Sequence, residues 1–306
     1  MKIRLNMRER MMLIVSCLAM GVGLCSCSSG DDTAPNPPDG RAMRQLTITD
    51  ASMSRRVAIS PDTYAATWET GDKATYFNLS NPWYGTLTAT PTGTPVGASA
   101  SLSGSAHCGL SDYLAVIYPT VETIEKPSGK DAYFTIALSG QKGTLEDIGD
   151  HYHYVYGVGE VTSVDGNTAS GTISNTKGLL SLCKFTFKKD ASPVSVKTLQ
   201  ISYGSTGAAG YPQTGQVSMP LTDVIADVHV EANAPSTPLT ISLPDANPNP
   251  TGVVYVALFP GGYYDTQYDD RLVFHFTVSD GTNTYTGTKK AVLKEGKYYA
   301  VDIAVN

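Results

Sequence analysis

The sequence predicts an all-β protein built from antiparallel β-sandwich domains. Short segments of alternating apolar and polar residues recur along the chain, separated by Gly, Pro, Asn and Asp. The 18 tyrosines and 29 glycines are typical of strands broken by turns. No window of about a dozen residues carries a helical apolar period, so long helices are not expected. The length of 306 residues suits two domains of ordinary size.

The alternating segments fall into two groups, on either side of Lys189–Pro193. The first group is Arg44–Thr49, Arg55–Ser60, Lys73–Leu79, Gly85–Thr90, Ser99–Gly104, Tyr113–Pro119, Ala132–Leu138, Tyr152–Val158, Ser170–Ser174 and Leu182–Lys188. The second group is Lys197–Tyr203, Gly215–Met219, Leu239–Leu243, Val253–Phe259, Leu272–Val278, Asn283–Thr288 and Lys297–Val305. Residues 44–190 and 191–306 are therefore predicted to be separate domains. Residues 143–150 are expected to form a helical turn or two, and the proline-rich stretch 244–252 to interrupt strand pairing.

The N-terminus predicts a secretory signal that ends at a cysteine. A basic start is followed by an apolar run, Met11–Leu24, of 14 residues, which is too short for a membrane-spanning helix. The run ends Leu24-Cys25-Ser26-Cys27, which resembles the lipobox of bacterial lipoproteins. The resemblance implies a signal peptide over residues 1–26, cleavage between Ser26 and Cys27, and a lipid on Cys27. An ordinary signal peptide with incidental cysteines is the alternative.

Residues 27–43 are predicted to be a flexible tether, because Ser28–Gly40 has almost no apolar side chains to bury. Asp31 and Asp32 resemble the acidic export signal of surface-exposed lipoproteins in Bacteroidetes. Without residues 1–26 the chain has 18 basic and 27 acidic residues, a net charge of −9. No basic run remains, so nucleic acid is not an expected partner.

The remaining cysteines and the histidines offer little sign of catalysis. Cys108 and Cys183 either pair with each other or stay apart, and Cys183 is expected to be a buried structural thiol. His107 next to Cys108 does not orient an imidazole towards a thiolate. The chain has no G-x-S-x-G, H-E-x-x-H or P-loop motif, and we expect neither an enzyme nor a cofactor.

Two features suggest ligand sites, each with a plainer interpretation. His151 and His153 would share one face of a predicted strand near Asp147 and Asp150, as metal ligands or as ordinary surface residues. We favour the surface interpretation and predict no metal. The loop 260–271 suits sugar stacking or calcium binding, or is a solvated hairpin tip. Its candidate residues are Tyr263, Tyr264, Asp265, Tyr268, Asp269 and Asp270.

The last predicted strand has one apolar face, formed by Tyr299, Val301, Ile303 and Val305. A strand of this kind either closes its own sandwich or pairs with the sheet of a neighbouring molecule. Both possibilities stay open at the level of the sequence.

Several segments together resemble the fimbrillin family of Bacteroidales, the lipoprotein precursors of type V pili. An early tryptophan is followed by Gly-Asp before a strand, a central strand ends in Tyr-Pro, and a turn precedes a tyrosine-rich strand. The last strand contains tyrosines. These segments are Tyr64–Asn78, Tyr113–Pro119, Ser139–Gly157, Leu179–Phe187 and Gly296–Val305. The resemblance implies two transthyretin-like antiparallel β-sandwich domains in tandem.

The resemblance also implies maturation and assembly. In that family an Arg-specific protease removes an N-terminal segment with the first strand, and a donor strand of the next subunit replaces it. Arg44, Arg55 and Arg56 are the possible cleavage sites here, and the Arg55-Arg56 pair fits best.

The leading hypothesis is therefore a structural and adhesive fimbrial subunit, lipid-anchored in the outer membrane at the cell surface. Its expected partners are other fimbrial subunits and a host or bacterial surface glycan or protein. The alternative is a monomeric outer-membrane lipoprotein that binds glycans.

Overall fold

The computed structural model describes residues 40–50, 67–81, 83–94, 96–126, 131–204, 210–220, 225, 228–244, 249–260 and 272–306. The strands in these residues are β1 (Ala42–Asp50), β2 (Lys73–Asn78), β3 (Tyr84–Thr92), β4 (Ser99–Cys108), β5 (Tyr113–Tyr118), β6 (Ala132–Ala137), β7 (Val155–Asp165), β8 (Thr168–Gly178), β9 (Ser181–Lys189), β10 (Ser192–Pro193), β11 (Thr198–Tyr203), β12 (Thr214–Met219), β13 (His229–Ala232), β14 (Leu239–Ser242), β15 (Val253–Leu258), β16 (Leu272–Ser279), β17 (Thr284–Ala291) and β18 (Tyr298–Ala304). A short helix, α1 (Leu145–Asp147), continues as a π-helical turn over Ile148–Tyr152. The all-β prediction is confirmed, as is the helical turn within residues 143–150.

The first sheet closes into a barrel of seven strands in the order β1-β4-β3-β2-β5-β7-β8. Most neighbours are antiparallel, but β1 closes the barrel by pairing in parallel with β8. Alternate residues point inwards and form one apolar core, with Leu46, Ile48, Leu87, Leu102, Leu114 and Val116 all at most 1% exposed. The sequence predicted an antiparallel β-sandwich for this region, whereas the structure has a closed barrel.

Curvature of the β7–β8 hairpin brings β8 round to β1. The pairing of β7 with β8 shifts register between Val158 and Gly159 and again between Val161 and Ser163. A Cβ on Gly159 would lie only 2.7 Å from the carbonyl oxygen of Thr172, so glycine permits the close approach of the two strands. Such bulges bend and twist a sheet, which is what barrel closure requires.

The remaining strands form three smaller sheets around a second core. In one of them β9 lies between β15, which is antiparallel to it, and β18, which is parallel. The other two have the orders β14-β11-β16-β17 and β13-β12-β6. Phe187 of β9 contacts Phe276 of β16, with ring centroids 5.8 Å apart, so aromatic side chains fill the space between two of these sheets.

Strands β6 and β9 precede residue 190 but pair with β12 and β15, which follow it. The boundary between residues 44–190 and 191–306 remains a prediction, because strand pairing describes sheets and not independently folding units. The strand β1 begins at Ala42, inside the segment predicted to be a tether.

Among the described residues, no helix is both long and apolar enough to cross a membrane.

Candidate functional site

The N-terminal strand β1 fills a slot between β4 and β8. Its whole length pairs with β4, and its residues 45–50 also pair with residues 168–173 of β8. Leu46 and Ile48 point into the barrel and are 0% and 1% exposed. Both edges of β1 and one of its faces are therefore occupied by the rest of the barrel.

A buried carboxylate holds the residue that precedes β1. Asp112 is 2% exposed and accepts hydrogen bonds from Arg41, through Nε at 2.9 Å and Nη2 at 2.7 Å. The Nδ2 of Asn78, at 2.8 Å, and the backbone N–H of Gly109, at 2.9 Å, also donate to Asp112. Burial acts to raise the pKa of Asp112, but these hydrogen bonds outweigh it, so the pKa is lowered and the carboxylate stays charged.

The predicted cleavage residue Arg44 lies inside the fold. Its side chain is buried, and its guanidinium donates to the backbone carbonyls of Cys108, Gly166 and Gly40. The backbone of Arg44 also belongs to the β1–β4 ladder. A protease needs an extended, accessible segment of chain, so β1 must first unfold before Arg44 can be cut.

The end of β1 and Thr67, where the described residues resume, lie at the same end of the barrel. Asp50 pairs with Ala100 at the start of β4. The ring of Trp68 packs against Tyr118 at the end of β5, with centroids 5.1 Å apart. The segment between them, which includes the predicted cleavage sites Arg55 and Arg56, lies outside the described residues.

The C-terminal strand β18 is paired within its own chain. The predicted alternation is confirmed: Ile303 and Val305 are buried, and Tyr299 and Val301 pack partly buried against the same core. Along β18, backbone pairing with β9 occupies one edge. Next to its end, a short bridge joins Val305 to Gly287 of β17.

The two mature cysteines apart from Cys27 are buried and free. In the strand register, Cys108 of β4 lies opposite Ala42 of β1, and Cys183 of β9 lies opposite Tyr299 of β18. Burial raises the pKa of both thiols, which makes them poor nucleophiles. The interpretation of Cys183 as a buried structural thiol is confirmed.

The prediction that His151 and His153 lie on a strand is wrong. Thr144 caps α1 by accepting a hydrogen bond from the backbone N–H of Asp147, and helical turns continue to Tyr152, before β7 begins at Val155. The two histidines therefore do not share a strand face. Among the residues that the structure describes, no three His, Cys, Asp or Glu side chains are arranged to hold a metal ion.

Three further predictions concern residues outside the described ranges. They are the lipid site at Cys27 with its cleavage after Ser26, the tether up to residue 39, and the tyrosine-rich loop with Tyr263, Tyr264, Tyr268, Asp269 and Asp270.

The contacts of Asp112 were not predicted from the sequence. Asn78 and Asp112 are separate polar residues next to apolar strands, and nothing local links either of them to Arg41. Only the pairing of β1 with β4 brings Arg41 to the turn after β4.

Several solved structures align with most of this chain at low sequence identity. A provisionally named cell adhesion protein from Bacteroides eggerthii is 12% identical, with a TM-score of 0.44 and 86% of each chain covered. Another from Bacteroides fragilis is 11% identical, with a TM-score of 0.45, and 86% of this chain and 93% of that chain are covered. The tip fimbrial protein Mfa3 from Porphyromonas gingivalis is 6% identical, with a TM-score of 0.39 and coverages of 87% and 98%. No family model matches the sequence, and no curated protein matches it significantly.

Proposed function

We propose that this chain is a structural and adhesive fimbrial subunit that assembles by donor-strand exchange after β1 is removed. The observation that carries the proposal is the position of β1. The first strand of the fold fills a slot between two other strands, and a linker with two adjacent arginines follows it.

Loss of β1 would create a binding site for another strand. The facing edges of β4 and β8 would be left with unpaired backbone groups, and the space filled by Leu46 and Ile48 would open to water. Burial of each such side chain is worth about 1.5–3 kcal/mol. A strand from another subunit with the same alternation would pair with both edges and fill the space.

The burial of two other arginines supports the pair Arg55-Arg56 as the cleavage site. The mature chain has arginines at 41, 44, 55, 56 and 271. Arg41 is bound to Asp112 and Arg44 is buried within β1. Cleavage after Arg55 or Arg56 would separate β1 from the rest of the barrel, since both residues follow β1 in the sequence.

In this proposal Cys27 carries the lipid that delivers the precursor to the outer membrane, and Asp31 and Asp32 direct it to the cell surface. The seven-stranded barrel takes the place of the first transthyretin-like domain, and the remaining sheets take the place of the second. The strand β18 is either a donor that leaves β9 or a fixed last strand. The role is structural rather than enzymatic, and the partners are other fimbrial subunits and a surface glycan or protein.

The test is treatment of the precursor with an Arg-specific protease, in an Arg271→Lys background that removes Arg271 as a competing cleavage site. We expect a new N-terminus at Arg56 or Val57 and SDS-resistant ladders of the cleaved protein. The matched control carries Arg55→Lys and Arg56→Lys, which keep the charge but are not cut, and it should stay monomeric. Cleaved protein that keeps β1 and forms no ladders would contradict the proposal.

A further inference from the structure

A cleft lies beside β6, on the opposite side of that strand from β12. Its walls are the chain after β5, residues 119–123, and the end of the helical turn with the residues that follow it. The cleft has a volume of about 520 Å³, within the range of ligand pockets. Its lining includes Glu122, Thr135, Ala137, Asp150, Tyr152 and Tyr154.

The backbone of β6 has an unused edge in this cleft. On the side of β6 that faces β12, the N–H of Leu138 donates to the carbonyl of Gln213, 2.8 Å away. Backbone groups alternate along a strand, so those of Phe134 and Ile136 also point towards β12. Thr135 and Ala137 must therefore point their N–H and C=O groups to the outer side.

On that outer side, pairing stops after one residue. Tyr133 and Glu125 exchange two backbone hydrogen bonds of 2.8 Å. Beyond this pair, residues 119–123 diverge from β6 and open the cleft. Thr135 and Ala137 are exposed, and in the described part of the chain no backbone group bonds to their outer side.

The cleft is acidic. Glu122 and Asp150 line it, and its described lining contains no lysine or arginine. Burial, and secondly the charge of Glu122, raise the pKa of Tyr154. A cation entering beside Glu122 would meet the negative charge of its carboxylate.

We propose that this cleft binds an extended peptide segment of another protein, which adds a strand to β6 and places a lysine or arginine side chain near Glu122. The unused backbone edge calls for a ligand with N–H and C=O groups at strand spacing, which a peptide has. Sugar binding needs an exposed aromatic face, whereas Tyr152 is only 8% exposed and its hydroxyl already donates to the carbonyl of Ser139 at 2.8 Å. The site uses neither β1 nor its slot, so it is independent of strand exchange.

The probe is the blocked pentapeptide Ac-TVRVT-amide, titrated into the uncleaved full chain by calorimetry. We expect saturable binding that weakens about tenfold or more for Ac-TVEVT-amide, because the Glu122 carboxylate repels a negative side chain. A version of the first peptide with alternate backbone nitrogens methylated should not bind, since it cannot pair with β6. Binding should also protect the amides of Thr135 and Ala137 from hydrogen exchange.

Two pairs of variants distinguish a loss of peptide binding at this site from general effects of substitution on the protein. Thr135→Pro removes an outward N–H without touching the β12 ladder and should weaken binding about tenfold or more. Lys290→Pro is the matched control. The backbone of Thr286 bonds to Asn306, so every second residue of β17, including Lys290, points its backbone N–H away from β16. Peptide binding should therefore be unchanged in this variant. Glu122→Gln should weaken binding of the arginine peptide, while Glu146→Gln, on an exposed carboxylate outside the cleft, should not.

Circular dichroism of each variant establishes that it is folded, and the methylated peptide tests the wild-type chain directly. Three results would overturn the inference: no binding at about 5 mM peptide, equal binding of the arginine and glutamate peptides, or unchanged binding to the methylated peptide. Binding of a neutral oligosaccharide such as maltohexaose, without peptide binding, would assign the cleft to a sugar instead.

Discussion

The two terminal strands of the described fold, β1 and β18, are held in different ways. β1 has neighbours on both edges, and its inward side chains Leu46 and Ile48 are fully buried. Among the described residues, β18 pairs along its length with β9 alone and is joined to β17 only by the short bridge next to its end. Its side chains Tyr299 and Val301 are partly exposed. Removal of β1 therefore opens a barrel, whereas detachment of β18 uncovers one edge of β9.

In the proposed strand exchange, this difference gives the two strands different roles. A slot with two edges and an apolar floor binds an incoming strand on three sides, and only β1 leaves such a slot behind. A strand held on one edge detaches at a lower cost in free energy. In the proposed exchange, β1 is the strand that is replaced, and β18 is the better candidate of the two for a donor.

The largest expected effect comes from truncation of one buried side chain in each strand. Leu46→Ala leaves a cavity in a closed barrel and should lower the free energy of unfolding by about 2–5 kcal/mol. Val301→Ala, at a partly exposed site, should lower it by about 1 kcal/mol or less. Urea denaturation measures both. Thr49→Ala, at an exposed position on β1, is the control and should change little.

Equal losses for Leu46→Ala and Val301→Ala would contradict the comparison, because they would mean that the two strands are equally well held.

A smaller difference is expected between the ion pairs of the two strands. Asp112→Asn leaves Arg41 without its buried charged partner and should cost about 2 kcal/mol, since hydrogen bonds to buried charges are strong. Asp302→Asn removes an exposed pair between Lys188 and β18 and should cost about 0.5 kcal/mol or less. Urea midpoints of the two variants test this order. A larger loss for Asp302→Asn would show that the contact with Arg41 does not stabilise β1.

The smallest effect is a dependence on pH. The pKa of Asp112 is lowered in the folded protein from its ordinary value of 3.8. Its contribution to stability is therefore fully present above that ordinary value and is lost as the pH falls through the lowered pKa. The difference in urea midpoint between wild type and Asp112→Asn should shrink from about pH 7 to about pH 2. A difference that grows in acid would have the wrong sign for a carboxylate stabilised in its charged form.

The sequence predicted strands better than it predicted how they pair. The apolar face of β18 could be recognised because alternation is a local property of Val301, Ile303 and Val305. Barrel closure could not, because the parallel pairing of Gln45 with Thr168 joins residues far apart in the chain, and neither segment specifies the other.

The same limit applies to the sites. The alternating Tyr and Val residues of 152–158 favoured a strand, but the cap at Thr144 starts helical turns that end only at Tyr152, so the face shared by His151 and His153 does not exist. The contact of Arg41 with Asp112 and the cleft beside β6 both arise from tertiary structure. No spacing in the sequence indicates them.

Two buried thiols report on the two terminal strands, and their labelling tests the central claim most directly. Cys108 lies opposite Ala42 of β1, and Cys183 lies opposite Tyr299 of β18. The Arg271→Lys protein is cut by an Arg-specific protease and treated with a thiol reagent under native conditions, and each cysteine is then read by peptide mass spectrometry. We predict that neither thiol reacts before cleavage, that Cys108 alone becomes reactive afterwards, and that assembly into polymers protects it again. Labelling of Cys183 in place of Cys108, or a Cys108 that stays protected in cleaved monomers, would contradict the removal of β1.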